Sequence, residues 1–154
     1  MPRTKSEPMR DRARRIVDAD WSWLAEWADD PVLDQRLGPI DTEWFAHVLA
    51  DDGGVELIVQ DERGHPIAVV GCVWDEANAA HVISDIAVDP RRRRSGLGRR
   101  SVDAALDWDG HPPTTSWCAF VDPENHAARQ FFQSIGWIDG GVDDGMIRFS
   151  RPRQ

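Results

Sequence analysis

The chain of 154 residues contains no tyrosine, only two cysteines and no long apolar run. Without tyrosine, no phenol is available as a proton donor, so any acid–base chemistry falls to other groups. Cys72 and Cys118 each lie in an apolar, strand-like run. They read as buried reduced thiols, and a disulfide framework is not indicated. No stretch of 18 apolar residues exists, which excludes a transmembrane helix. The N-terminus is basic but has no apolar core segment, so no signal peptide is expected and a cytoplasmic location is the default. His47, His65, His111 and His126 lack ligand spacing, so no metal is expected. Basic residues are scarce through the first half: between Ile16 and Pro90 stand 17 acidic residues and two basic ones, Arg36 and Arg63.

What is present is equally uneven. Six basic residues lie in residues 1–15 and six more between Arg91 and Arg100, in a chain of net charge −9. Such short islands do not make a nucleic-acid face. The acidic half suits either a cationic substrate or a solvated surface. Eight tryptophans and 41% hydrophobic residues suffice for the core of one domain.

Residues 1–12 lack periodicity and read as a flexible basic arm, with a single domain over 13–154. A short strand is expected at Arg14 to Val17. Asp20 is placed to cap a helix carrying Trp21, Leu24 and Trp27. A second helix starts near Asp41 and ends at Asp52-Gly53-Gly54. Trp21, Trp27 and Trp44 read as core, whereas Trp23 falls off its helix's apolar stripe and is placed to line a pocket for a cation. Strands over Val55 to Gln60, Ile67 to Trp74 and His81 to Val88 form an antiparallel meander. A helix from Gly98 to Trp108 leads to a strand at Thr114 to Val121, parallel to the His81 to Val88 strand by a right-handed crossover. A helix from His126 to Ile135 and a hairpin of Ile138 to Val142 with Met146 to Ser150 close the chain. The order β-α-α-β-β-β-α-β-α-β-β is an α/β arrangement on a mixed sheet.

The run from Asp85 to Arg100 organises the rest. An apolar strand turns at Asp89-Pro90, passes through a crowded arginine loop, and meets Gly96-Leu97-Gly98 at the start of a helix. Backbone N–H groups at a helix start have no intrahelical partners and favour an anion. By itself the loop is either a phosphate cradle or an Arg-rich solvated turn.

Two motifs decide between these. Ile86-Ala87-Val88-Asp89-Pro90 followed by Arg93-x-x-Gly96-x-Gly98 resembles the acetyl-CoA loop of the GNAT family of N-acetyltransferases. Asn125-x-x-Ala128-Arg129-x-Phe131-Phe132-x-x-x-Gly136-Trp137 is similar to that family's second motif. The resemblance implies a single GNAT-like domain: a mixed sheet of about six to seven strands, about four flanking helices, and a splayed parallel strand pair that binds the cofactor. It implies acetyl-CoA as cosubstrate, with no metal. The pyrophosphate would rest on the backbone of Arg94, Gly96, Leu97 and Gly98, with Arg93, Arg94 and Arg99 adding charge-assisted bonds. The pantetheine would pair with Ile86 and Val88, and the Val88 N–H would face the thioester oxygen. Asn125 would touch pantetheine or cap its helix.

The resemblance implies direct transfer of an acetyl group to a primary amine, of a cationic small molecule or of a protein N-terminus, in a ternary complex. It implies neither nucleic acid nor membrane as partner, and leaves room for a homodimer. The family's tyrosine falls at Phe132, which can pack on the cofactor but cannot donate a proton. The glutamate found early in the strand before the loop in many relatives falls near Ala80 or Val82. Asp85 is therefore the first candidate base and His81 the second, with Ser84 and Glu76 nearby. The missing tyrosine and glutamate also fit an alternative: a non-catalytic acyl-CoA-binding module of the same fold.

Overall fold

Leu57, Ile58 and Val59 follow one another in a single strand, and all three are fully buried. A strand with apolar residues on both faces needs cover on both sides, and the fold supplies it. The structure, a computed structural model, describes residues 10–31, 40–92 and 96–152. Its strands are β1 (Arg12–Arg15), β2 (Gly54–Gln60), β3 (Pro66–Val73), β4 (Ala80–Val88), β5 (Ser116–Val121), β6 (Ile138–Asp143) and β7 (Met146–Ser150). They form one seven-stranded sheet in the order β1-β2-β3-β4-β5-β7-β6. All neighbours are antiparallel except β4 and β5. The helices are α1 (Trp21–Trp27), α2 (Thr42–Ala50), α3 (Leu97–Leu106) and α4 (His126–Ser134).

The sheet divides the core in two. On one face, Leu97, Val102 and Ala105 of α3 and Phe132 of α4 pack on Val55, Leu57, Val59, Val70, Ile83 and Phe149. On the other, Leu24 and Trp27 of α1 and Phe45 and Val48 of α2 pack on Ile58, Val69 and Ala87. This is the mixed α/β single domain with a parallel pair that the sequence led us to expect.

Two local expectations differ, and one strand is irregular. Strand β1 begins at Arg12, earlier than the run from Arg14 to Val17, although Ile16 N–H still reaches Glu56 O at 3.0 Å. Asp20 stands at the start of α1, but its side chain does not cap that helix. It is only 2% exposed and is a hub. It accepts two bonds from the Arg14 guanidinium at 2.6 and 2.8 Å, the Val17 N–H at 2.8 Å and the Trp23 indole N–H at 2.9 Å. Trp23 is thereby tied to the frame of α1. Burial pushes the Asp20 carboxyl up, and these four donors outweigh it, so its pKa lies below the ordinary carboxylate range. A lowered carboxyl stabilises the fold above its unfolded pKa, about 3.9, and loses that contribution as pH falls through the lower folded value. Asp20→Ala strands all four N–H donors, two of them on a charged guanidinium, and a loss on the order of 2–3 kcal/mol is expected from urea unfolding at pH 7. The irregular strand is β4. Its register with β3 slips between Gly71 and Cys72: Gly71 faces Asp85 while Cys72 faces Ile83, leaving Ser84 as an extra residue. Strict alternation puts Ile83 and Asp85 on one face, but the bulge sends them to opposite faces.

Candidate active site

Strands β4 and β5 pair from Ala80 with Ser116 to Ile83 with Ala119, and pairing ends there. Strand β4 runs on to Val88 and β5 to Val121, so the two part. The Asp89 N–H donates to Ile67 O at 2.8 Å, on the β3 side. Alternation then puts the N–H and C=O groups of Val88 and Ile86 on the opposite edge. That edge faces the gap left by β5. A free strand edge is a template for an extended chain carrying amide groups.

The loop beyond β4 opens with a 3-10 turn at Pro90–Arg92. Asp89, 4% exposed, holds it by accepting the Arg91 N–H at 3.0 Å. Arg93 and Arg94, expected on the phosphates, lie outside the described residues, as does Ser95. Gly96 precedes α3 with φ +77°, and a Cβ there would meet no atom within 4 Å. A residue in the left-handed region with open space beyond it gives a ligand close access to the backbone. The N–H groups of Leu97, Gly98 and Arg99 form the first turn of α3, where the helix offers no acceptor. The Leu97 side chain itself is core.

Gly98 serves a different purpose from Gly96. A Cβ there would come within 2.7 Å of the Phe131 ring, so Gly98 lets α3 and α4 approach. Arg99 is exposed at the first turn. Arg91, Arg92 and Arg100 are engaged with Asp89, Asp61 and Asp11. Asn125 caps α4, its Oδ1 accepting the Ala128 N–H at 3.1 Å. Phe132, expected against the cofactor, is 5% exposed, stacked on Phe149 at 5.6 Å and tilted against Trp137 at 5.1 Å. The half-buried ring beside the loop is its neighbour Phe131. A cleft of about 800 Å³ lies between the β2–β3 turn and the start of α3. Two of its arginines, Arg92 and Arg100, are ion-paired within it.

The two candidate bases are separated by the bulge. His81 is fully buried on the α3 face, against Trp117 at 5.3 Å. Its Nδ1 accepts the Asp75 N–H at 3.3 Å and its Nε2 lies 2.9 Å from Pro112 O, which fixes the Nε2–H tautomer. Both ring nitrogens are spent on the fold, which leaves no lone pair for a substrate. Asp85 is on the opposite face, next to the gap, and it is not alone. Glu56 of β2, 8% exposed, reaches across Gly71 of β3 toward it. A Cβ on Gly71 would stand 2.5 Å from Glu56 Oε1 and 2.6 Å from Asp85 Oδ2, so only glycine fits between them.

Glu56 Oε2 and Asp85 Oδ1 are buried and have no hydrogen-bond partner. Burial, then the charge of Asp85 and the hydrogen bond between the two, push the Glu56 carboxyl well up. Burial also raises Asp85, against the hydrogen bonds it receives from Glu56, Gly71 and Ser84. Glu56 was not legible as a site residue, standing inside an apolar strand; its one signal is a carboxylate flanked by Val55 and Leu57. On the same face, past the last β4–β5 pair, Phe120 of β5 is 43% exposed. Among the described residues no cluster of three His, Cys, Asp or Glu side chains could hold a metal, and no helix is long and apolar enough to cross a membrane.

A family model described as the acetyltransferase (GNAT) family matches residues 13–137. A curated mycothiol acetyltransferase from Clavibacter michiganensis subsp. michiganensis (strain NCPPB 382) is 29% identical over 111 residues, which cover 72% of this chain and 33% of that protein. The chain thus spans about a third of that relative's length. A spermidine N-acetyltransferase from Vibrio cholerae, solved with CoA and spermine, matches with TM-score 0.70 at 13% identity over 93% of this chain and 94% of that one. An aminoglycoside acetyltransferase solved with coenzyme A matches with TM-score 0.73 at 20% identity over 93% of this chain and 95% of that one. At these identities the solved structures are alike in fold.

Proposed function

Because the chain belongs to the GNAT acetyltransferase family, we propose that it transfers the acetyl group of acetyl-CoA to a primary amine by direct attack in a ternary complex. The observation that carries this reading is the unpaired edge of β4 at Ile86 and Val88, ending beside the open first turn of α3. The edge suits the two amides of a pantetheine arm, and the N–H groups of Leu97, Gly98 and Arg99 suit a pyrophosphate. The exposed Arg99 adds charge there, and Arg93 and Arg94 are proposed to do the same. The Val88 N–H is the donor for the thioester oxygen as it becomes an oxyanion. Asn125, beyond its cap, keeps an exposed amide that can meet the pantetheine.

The acceptor we propose is cationic. The stretch from Ile16 to Pro90 carries 17 acidic residues against two basic ones, and the splay opens between Asp85 and Phe120, a carboxyl and an aromatic face. The names of two solved relatives, spermidine and aminoglycoside acetyltransferases, agree with amines of that kind. The amine arrives as ammonium, with a pKa of about 10.4, and must lose a proton to attack. We assign that proton to Asp85. Its nitrogen then bonds to the acetyl carbon, the C–S bond breaks, and CoA leaves as thiolate. With a thiol pKa of about 8.5, the thiolate needs no phenol and takes its proton from the acetylated nitrogen or from water.

A binding module without turnover is the second reading, favoured by a buried phenylalanine at the position of the family's tyrosine. Thermal unfolding with acetyl-CoA and CoA-thiol release with spermidine, kanamycin and a peptide with a free N-terminus separate the two. Acetyl-CoA at 100 times its Kd stabilises by about 2.7 kcal/mol. Stabilisation with thiol release supports transfer; stabilisation without release on any amine supports the module; no stabilisation removes both.

A further inference from the structure

Glycine in the middle of a central strand weakens it, by loss of packing and by backbone entropy. Gly71 stands in the third strand of seven, between β2 and β4. What fills its missing side chain is a pair of carboxyl groups. Glu56 arrives from β2, which pairs Glu56 with Gly71, and Asp85 from β4, which pairs Gly71 with Asp85. The three residues stand in a row across three strands on one face. Two like charges brought together in a buried place cannot both ionise cheaply. No positive charge among the described residues offsets them, since no arginine or histidine pairs with either group. The titratable neighbours are Asp51 at the end of α2 and Cys72 on β3; the remaining polar neighbours are the Ser84 hydroxyl and the Gly71 backbone. Asp51 is acidic, and the Cys72 thiol is itself pushed up by burial and by the two carboxyls, so it stays neutral. One oxygen on each carboxyl remains buried and unpartnered.

We propose that Glu56 is the proton-sharing partner of Asp85: the two carboxyls, both ionised over Gly71, take one proton from the ammonium of the acceptor and hold it between them. The proposal rests on the acetyl-transfer reading and adds to it a residue on another strand. Glu56 is a positioning residue, acting through Asp85. A lone surface Asp, with a pKa near 3.9, is a poor base for an ammonium near 10.4. Placing it beside a second carboxylate makes the doubly charged pair costly to keep, so that the pair takes up its first proton at higher pH than either group alone. In the step itself the ammonium N–H bond breaks, the proton joins Asp85 and is shared with Glu56, and the pair goes from two negative charges to one. The nitrogen lone pair forms the new C–N bond as the C–S pair leaves with sulfur. The pair returns that proton to water after the product departs.

The test compares wild type with Glu56→Gln, which keeps the shape and can still donate to Asp85. The rates of CoA-thiol release with spermidine, kanamycin and the peptide are followed from pH 5 to 9, and thermal unfolding is followed over the same range without ligand. With Glu56 gone, Asp85 is a lone carboxylate helped by an amide N–H. The acid limb of its pH–rate profile moves to lower pH, and the plateau rate falls about tenfold because the base is weaker. A raised carboxyl pair stabilises the fold below its unfolded pKa values, about 4, and loses that contribution as pH rises toward the folded ones. Wild type therefore loses more stability from pH 5 to 8 than Glu56→Gln or Asp85→Asn. An acid limb at the same pH in wild type and Glu56→Gln, or a rate loss with no change in profile, overturns the proposal. Should Glu56→Gln not fold, equal pH-dependence of stability in wild type and Asp85→Asn overturns it. Absence of thiol release by wild type on every amine overturns instead the transfer reading, and with it the role in transfer, while the stability arm still decides whether the pair holds a proton.

Discussion

Asp85→Asn lowers the rate of acetyl transfer at pH 7 by about a hundredfold or more, the usual contribution of a positioned base, and leaves the stabilisation by acetyl-CoA intact. The two readouts part because Asp85 points its side chain to the α1–α2 face, whereas the cosubstrate is proposed to lie along the backbone edge of the same strand. The pH dependence is diagnostic. Without a base, the variant relies on amine already deprotonated in water, a fraction that rises tenfold per pH unit up to the amine's pKa, about 10.4. The deficit therefore narrows steadily as pH rises. A constant deficit from pH 7 to 9 means that Asp85 shapes the site without moving the proton. The same substitution removes one of two like-charged groups packed over Gly71, so the variant melts no lower than wild type at pH 8 and is expected to melt higher. Lower activity with higher stability is the mark of a site held in a costly arrangement.

Gly96→Glu abolishes the stabilisation by acetyl-CoA, a loss of the full 2.7 kcal/mol or so at 100 times the wild-type Kd. Two effects add. The carboxylate enters the space in front of the α3 N-terminus, where a diphosphate would sit. The backbone at φ +77° also penalises most residues with a Cβ, Glu among them, by about 1–2 kcal/mol. Gly96→Asn separates them, since Asn tolerates the left-handed region and carries no charge. It should fold with little loss and keep part of the response to acetyl-CoA. An equal response in Gly96→Glu and wild type, read by differential scanning fluorimetry, places the pyrophosphate elsewhere.

Helices and strands were legible because each is amphipathic or apolar over its own length. Trp21, Leu24 and Trp27 mark one stripe, and Val102, Ala105 and Leu106 another. The loop was legible because a helix start preceded by glycine has few other uses beside Asn125 to Trp137. The Glu56–Asp85 pair was not, because its members stand 29 positions apart in sequence (85 less 56) and meet only through the register of three strands. Ser84 hid it further: a bulge leaves no mark in hydrophobic alternation, and alternation carried across it assigns Ile83 to the wrong face. Phe131 and Phe132 look interchangeable in the sequence. Only the packing of α4 decides that Phe132 meets Phe149 and Phe131 meets Gly98. Asp20 precedes a helix, where capping is the commonest use of Asp, and the competing demand of Arg14 on the adjacent strand is a tertiary fact.

The extra residue at Ser84 works as a phase slip. Strand β4 has two clients: upstream of the slip His81 and Ile83 serve the aromatic packing under α3, and downstream Asp85 and Ala87 serve the other side. Had the strand kept phase, Asp85 would share a face with His81 and Ile83, and changes to the packing and to the carboxyl pair would be transmitted directly along one row. With the slip, the two rows lie on opposite sides of the sheet. Substitutions on the side proposed for the acceptor can then accumulate without repacking the layer that holds α3 and its N-terminus in place. In such a chain the acceptor can diverge while the nucleotide end stays fixed.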